Sequence, residues 1–261
     1  MRNRSSRGSG IFLVVSLLII LIVVIVLGVI KDKKQNEVIV QLNAEYVEEN
    51  QSKKDEEDKT AYPIEGENLL FLGDNISSIN KYQDYVSQVS KVNINTIATD
   101  GIQLGEVIEG LTSNDLVDID KVIVFAGTND YGEDKPLGVV TDSSEAETFF
   151  GSLEKVIKYI RNLNPDIEMI FITPLKRGAF ADQVVYPNYN YAGYLYEDYI
   201  SAIKETCNYY EINVIDAFNN SGIDENNIYE YTIDNLNLND QGAKILGEFI
   251  GKQLNEIYAE Y

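Results

Sequence analysis

The stretch that decides the fold reads Leu69-Leu70-Phe71-Leu72-Gly73-Asp74-Asn75-Ile76-Ser77. It opens with an apolar run, which is typical of a strand buried on both faces. The run ends at Gly73-Asp74-Asn75, three residue types that favour a sharp turn from a strand into a helix. Because ligands bind just beyond the carboxyl ends of the strands in open α/β sheets, we expect a site at this turn. Asn75 is best placed to act there, yet an amide is a poor nucleophile.

Similar apolar runs alternate with helical patterns along the rest of the chain. The strand candidates are Leu69–Leu72, Val92–Ala98, Val122–Ala126, Met169–Thr173 and Val214–Ala217. This alternation implies parallel strands joined by right-handed crossovers. The sequence therefore predicts a three-layer, flavodoxin-like α/β/α sandwich with about five parallel strands, formed as one domain by residues 63–261.

Helix signals separate these strands. Ser144-Glu145-Ala146-Glu147 has the pattern of a capping box and should open one helix, which Asn164-Pro165 should stop. A second helix is expected from about Tyr194 to Tyr210, and a last one from near Asn239. Each carries apolar residues at helical spacing, which predicts one buried face.

The amino-terminal part predicts a membrane anchor. Residues 1–10 are polar and basic and are expected to be a cytoplasmic tail, and residues 11–30 are an apolar run. That length matches the roughly 20 residues that cross a bilayer as a helix. A cleaved signal peptide is the alternative, but its apolar core is shorter and ends in a small-residue cleavage site. We expect a single-pass signal anchor in the cell membrane, with the charged stalk 31–62 and the following domain extracytoplasmic.

Composition excludes several classes of function. The formal net charge of −21 predicts repulsion from nucleic acid, so no nucleic-acid partner is expected. The single cysteine, Cys207, cannot form an internal disulfide and is predicted to be a buried, inert thiol. The 261 residues include no histidine, which excludes an imidazole base and histidine metal ligands.

Four polar loops should meet at the carboxyl edge of the predicted sheet. They are Gly73-Asp74-Asn75, Thr99-Asp100-Gly101-Ile102, Gly127-Thr128-Asn129-Asp130 and Asp234-Asn235-Leu236-Asn237. This arrangement resembles the SGNH/GDSL hydrolase family, whose members are serine esterases and acylhydrolases. In that family the first loop carries a Ser nucleophile, the second and third supply oxyanion donors, and the fourth reads Asp-x-x-His. The resemblance covers roughly residues 66–258.

The resemblance implies site residues at Asn75, Gly101, Asn129, Asp234 and Asn237. Gly101 and Asn129 match the oxyanion donors and Asp234 matches the carboxylate, whereas Asn75 replaces Ser and Asn237 replaces His. Triad members act as a unit, and losing one can remove on the order of a millionfold in turnover. We therefore predict a pseudoenzyme that keeps an oxyanion pocket, with no cofactor and no metal. The ancestral substrate class implied by the resemblance is an ester, such as an O-acyl group on an envelope polysaccharide.

Four further interpretations stay open. The asparagine amides, bordered by the tyrosine-rich tract 186–196, suit hydroxyl-rich ligands such as cell-envelope glycans, although these tyrosines can equally be core packing. The domain can be an inert envelope scaffold that binds a protein partner elsewhere. An active esterase would need a non-standard nucleophile such as Ser77 or Ser78, with Lys81 as its base. A cation site would draw on Asp74, Asp100, Asp130 and Asp234.

Overall fold

The structure, a computed structural model, describes residues 62–79 and 81–259, together with helical positions 21–23, 25–28, 30–31, 33–34, 40–41, 44–45 and 47–48. The chain divides into two compact units, Met1–Asp58 and Lys59–Tyr261. The described positions of the first unit are helical and exposed. Within that described part of the chain, no helix is long and apolar enough to cross a bilayer. The predicted tail 1–10, much of the anchor 11–30 and most of the stalk lie outside the described residues.

The second unit is built on a five-stranded sheet in the order β2-β1-β3-β4-β5. All neighbouring strands pair in parallel. The strands are β1 (Asn68–Gly73), β2 (Asn93–Ala98), β3 (Lys121–Phe125), β4 (Glu168–Ile172) and β5 (Asn213–Ile215). This is the flavodoxin-like strand order, and it confirms the predicted sheet.

Helices cover both faces of this sheet. They are α1 (Asn75–Ile79), α2 (Tyr82–Ser90), α3 (Thr128–Gly132), α4 (Phe149–Leu163), α5 (Tyr196–Tyr209), α6 (Ala217–Asn220), α7 (Ile228–Tyr231) and α8 (Asp240–Tyr258). Val122 and Val124 of β3 pack with α4 and α5 in one core. Ile123 and Phe125 point to the other face and pack with α2 and α8. The alternation along β3 therefore divides the interior into the two cores of a three-layer sandwich.

The start of α4 differs from the prediction. The helix begins at Phe149, where the Thr148 hydroxyl caps it by accepting from the Gly151 N–H at 3.1 Å. The expected capping box at 144–147 lies outside the helix, in a turn. The N–H of Phe149 donates to the carbonyl of Pro136, and that bond ties the chain to a distant segment just where the helix begins. The predicted stop is confirmed, because Asn164 forms the carboxyl cap.

A close contact joins α8 to α2. A Cβ added at Gly247 would lie 2.3 Å from the carbonyl oxygen of Tyr82, and one added at Gly251 would lie 2.7 Å from the Cβ of Val89. The Ser90 hydroxyl donates to the carbonyl of Gly251 at 2.8 Å. These two glycines therefore let the backbones of the two helices approach more closely than alanines would allow.

An ionic cluster lies at the amino end of the sheet. Lys121, only 7% exposed, places its ammonium 2.5 Å from a carboxylate oxygen of Glu67 and 3.6 Å from one of Glu168. The same ammonium lies 4.5 Å from the ring centre of Tyr258, whose hydroxyl donates to Glu168. The cluster connects the first residues of β3 and β4 to the last residue of α8.

Candidate functional site

Three chain segments bring four of the predicted site residues to the carboxyl edge of the sheet. Asn75 is the first residue of α1, two positions after the end of β1, and Asn129 is the second residue of α3. Gly127, at a φ of 121°, makes the turn between β3 and α3. Asp234 and Asn237 lie in the loop before α8, where Asn235 adopts a φ of 70° and is held by the Gly178 N–H.

Three asparagines and one aspartate form a continuous hydrogen-bonded row, which we call the amide relay (Asn129, Asn75, Asn237 and Asp234). The amide of Asn129 donates to the Oδ1 of Asn75 at 3.1 Å. The amide of Asn75 donates to the Oδ1 of Asn237 at 2.7 Å, and the amide of Asn237 donates to the Oδ2 of Asp234 at 2.8 Å. Residues 162 positions apart in sequence are thus in direct contact.

Asp234 sets the direction of the relay. An ionised carboxylate can only accept hydrogen bonds, so Asn237 must turn its NH₂ toward Asp234 and its oxygen toward Asn75. Asn75 must then turn its own NH₂ toward Asn237 and its oxygen toward Asn129. Asp234 is itself fixed by the backbone N–H groups of Leu236 and Asn237, at 3.1 and 2.7 Å.

The donor expected to serve an oxyanion is already engaged. The NH₂ of Asn129 has two hydrogens, one bonded to Asn75 and the other to the carbonyl of Ile102 at 2.8 Å. Asn75, Asn129 and Asn237 are only 2, 3 and 6% exposed. Gly101 lies next to Ile102 at a φ of 75°, exposed and with open space where a Cβ would stand. Asn75, Asn129 and Asn237 of the expected pocket are therefore in contact, but their amides satisfy one another.

Two buried aspartates hold the loops around the relay. The Oδ1 of Asp74 accepts from the Ile76 N–H at 3.0 Å, and the Oδ2 of Asp130 accepts from the Leu104 N–H at 2.8 Å. Burial raises the pKa of each carboxyl from the ordinary 3.8 to about 7, because desolvation outweighs these backbone hydrogen bonds. These contacts support a turn-stabilising role for both residues. Among the residues described, no group of three or more His, Cys, Asp or Glu side chains could hold a metal ion.

The hydroxyls near Asn75 have other partners. Ser77 is buried, and its Oγ lies 2.8 Å from the hydroxyl of Tyr82. Ser78 donates to the backbone carbonyl of Asn75 at 3.3 Å. Neither contact supplies a base, and a serine without one is a weak nucleophile at neutral pH.

The tyrosine-rich tract divides into inner and outer members. Tyr196, the first residue of α5, is part of the core and Tyr186 packs against it, as the packing interpretation predicts. Tyr189 and Tyr191 are 65 and 83% exposed. Asn190, between them, is buried, and its amide donates to the carbonyl of Tyr131 and the hydroxyl of Tyr199.

Arg177 is a site-proximal residue that the sequence did not indicate. It is 1% exposed, and one of its terminal nitrogens donates to the carbonyl of Thr128, next to Asn129, at 3.2 Å. The other donates to the side-chain oxygen of Gln183. A single arginine in a loop after β4 has no sequence pattern that would predict its partners. Only the folded structure shows that Arg177 holds the start of α3, and we call this contact the Arg177 brace.

Solved structures share this architecture. A protein from Lactobacillus plantarum is similar at 22% identity and a TM-score of 0.65, with 74% of this chain and 98% of that one covered. A possible lipase from Chitinophaga pinensis is similar at 20% identity and a TM-score of 0.58, with 74% and 99% covered. The lipase/acylhydrolase from Enterococcus faecalis gives 17% identity and a TM-score of 0.53, with 73% and 96% covered. At these identities the likeness shows the fold alone, and no curated protein matches the chain.

The family model described as the GDSL-like Lipase/Acylhydrolase family matches residues 72–245. The match runs from the end of β1 into α8 and includes all four loops of the site. The chain belongs to the GDSL-like lipase/acylhydrolase family, also called the SGNH/GDSL hydrolase family.

Proposed function

We propose that the chain is a catalytically impaired GDSL-like hydrolase whose ancestral reaction was ester or acyl hydrolysis. The observation that carries the proposal is the amide relay, in which carboxamides occupy the positions where the family has a nucleophile and a base. An amide neither attacks a carbonyl carbon nor accepts a proton at neutral pH. With both groups replaced, the hydrolysis rate is expected to exceed that of the uncatalysed reaction in water by at most about 10³–10⁴-fold.

The relay also suggests how activity can be restored. Asn75 donates to Asn237, and Asn237 donates to Asp234. In a Ser-His-Asp triad the serine likewise donates to the histidine and the histidine to the aspartate. We expect the double variant Asn75→Ser/Asn237→His to hydrolyse a small aryl ester such as p-nitrophenyl acetate, and each single variant to stay at the background of the natural protein. Initial rates of the four proteins, measured under the same conditions, test this expectation.

The repaired protein carries its own control. Adding Asp234→Asn to the double variant should lower kcat by about 10⁴, because the new imidazole then loses its orienting carboxylate. Equal hydrolysis by the natural protein and the double variant would contradict the pseudoenzyme assignment. In that case Ser78→Ala in the natural protein identifies whether the exposed hydroxyl beside Asn75 is a non-standard nucleophile.

We also propose that residues 11–30 anchor the protein in the cell membrane and that the domain is extracytoplasmic. The apolar length of this segment and its basic amino-terminal flank support the proposal. The full chain should stay with membranes after an alkaline carbonate wash, and protease added to spheroplasts should digest its domain. Arginines in place of Leu18 and Val23 should release the protein, whereas release of the unaltered chain would contradict anchoring.

Glycan recognition is a second candidate function, and the outer tyrosines favour it. Tyr189 and Tyr191 expose their rings on a turn that the buried Asn190 side chain holds to α3 and α5. Exposed aromatic rings on a fixed backbone offer apolar area for stacking at little cost in conformational entropy. The ligand class that we propose is a neutral polysaccharide of the cell envelope, because the net charge of −21 repels anionic polymers.

Titration with plain and O-acetylated neutral oligosaccharides, followed by NMR, tests this function. We expect saturable shifts that weaken at least about tenfold in Tyr189→Ala/Tyr191→Ala and persist in Tyr209→Ala, a matched change of a tyrosine that is 71% exposed elsewhere. Absence of shifts in the natural protein, together with capture of an envelope protein, would instead favour an inert scaffold.

A further inference from the structure

We infer that the Asn75 side chain is an internal ligand, which fills a site for a small primary amide between Asn129 and Asn237. Its oxygen accepts from the Asn129 amide at 3.1 Å, and its nitrogen donates to the Asn237 oxygen at 2.7 Å. One group thus satisfies a donor on one side and an acceptor on the other. The inference deepens the proposed loss of catalysis, because it states what the former reaction site now holds.

The chemical class follows from the direction of the relay. Asp234 can only accept, so the Asn237 oxygen must face Asn75 as an acceptor. At the other end, the Ile102 carbonyl holds the Asn129 amide with its NH₂ toward Asn75. An occupant of this position must therefore accept at one end and donate at the other. A primary amide does both, whereas a carboxylate would place an acceptor against the Asn237 oxygen.

Burial makes the position selective. The three asparagines are almost fully buried. An occupant that leaves Asn129 or Asn237 without a hydrogen bond therefore binds more weakly, because that neighbour's desolvation is no longer compensated. In the natural protein the position is filled, and any oxyanion ligand must first displace the Asn75 carboxamide. The 540 Å³ cleft beside Gln103 and Glu106 and the 450 Å³ cleft beside Ser77 and Ser78 are both lined by residues outside the relay.

Removal of the side chain should expose this site. Replacing Asn75 by glycine deletes a CH₂–CO–NH₂ group, which is acetamide less one hydrogen atom. We expect Asn75→Gly to bind acetamide in the millimolar range, as its few heavy atoms allow, and to bind acetate at least about tenfold more weakly. The natural protein should bind neither. Amide chemical shifts of residues 101–102 and 129, followed by NMR during each titration, provide the readout.

Two variants make the test decisive. Adding Asn129→Ala to Asn75→Gly should abolish the acetamide shifts, because the donor is lost. If the glycine variant does not fold, Asn75→Ala with formamide replaces it, since alanine leaves a space one carbon smaller. Equal binding of acetate and acetamide, no saturable binding by either variant, or acetamide binding that survives Asn129→Ala would overturn the inference. These readouts do not involve hydrolysis, so this inference and the proposed loss of catalysis can fail separately.

Discussion

At the scale of single residues, two buried carboxyl groups next to the relay should make the stability of the fold depend on pH. Burial raises the pKa of both Asp74 and Asp130 to about 7 in the folded protein, against 3.8 when exposed. The folded state therefore binds protons that the unfolded chain releases between pH 4 and 7. For carboxyls with raised pKa values, the stabilising contribution is fully present below the unfolded pKa and is lost as the pH rises through the folded pKa.

We accordingly expect the free energy of unfolding to fall as the pH rises from about 4 to 7, by on the order of 4 kcal/mol for each of the two carboxyls. Asp130→Asn should remove the Asp130 part of this dependence and leave the Asp74 part, because the amide oxygen can still accept from Leu104 and carries no charge. Asp115→Asn is the matched control, since hydrogen bonds from Thr112 lower the pKa of that exposed carboxyl. Urea unfolding at several pH values gives the comparison, and a slope unchanged in Asp130→Asn would contradict it.

Sequence located the relay residues but not their connections. Asn75 and Asn237 could be placed because strand ends and loop order determine which segments converge at the sheet edge. The sequence could not predict that Asn129 donates to both Asn75 and Ile102, because the partners of an amide depend on which groups lie within hydrogen-bonding distance after folding. The Arg177 brace was missed for the same reason, because its partners belong to loops that meet only after folding.

At the scale of elements, the contact between α2 and α8 depends on the absence of side chains. Gly247 brings α8 so close to α2 that an added Cβ would lie 2.3 Å from a backbone oxygen, which no rotamer change can relieve. Alanine is otherwise the better helix former, by roughly 0.5–1 kcal/mol. The clash of the added Cβ with the Tyr82 carbonyl oxygen opposes this preference, and it can be relieved only if one helix moves away from the other.

We expect Gly247→Ala to lower the free energy of unfolding by about 1–3 kcal/mol, because separation of the helices outweighs the gain in helix propensity. Lys244→Ala in the same helix is the control, and its exposed position predicts a change within about 0.5 kcal/mol. Chemical denaturation measures both. A Gly247→Ala protein as stable as the natural one would show that the helices can separate freely.

Element boundaries show where sequence signals end. The central strands β1, β3 and β4 were predicted because buried parallel strands are short apolar runs, which need no information from distant parts of the chain. The predicted start of α4 was wrong because Ser144 and Thr148 are both good capping residues, and the sequence does not show which of them caps the helix. Hydrogen bonds from Phe149 and Phe150 to the carbonyls of Pro136 and Leu137 favour the later one, and that pairing is non-local.

At the scale of the whole molecule, strong negative charge coexists with a buried cation. The chain carries 42 acidic and 21 basic side chains, yet Lys121 lies in the interior against Glu67 and Glu168. A net charge this far from zero predicts repulsion between copies of the protein, whereas the buried lysine requires its carboxylate neighbours to stay in place.

Because Lys121 is buried, chemical modification of its amine can report opening of the domain. Surface amines are modified quickly by an acylating reagent, whereas this one can react only when the start of β3 separates from the end of α8. Its labelling rate, read by mass spectrometry, should therefore follow the opening equilibrium and report when the amino end of the sheet first comes apart.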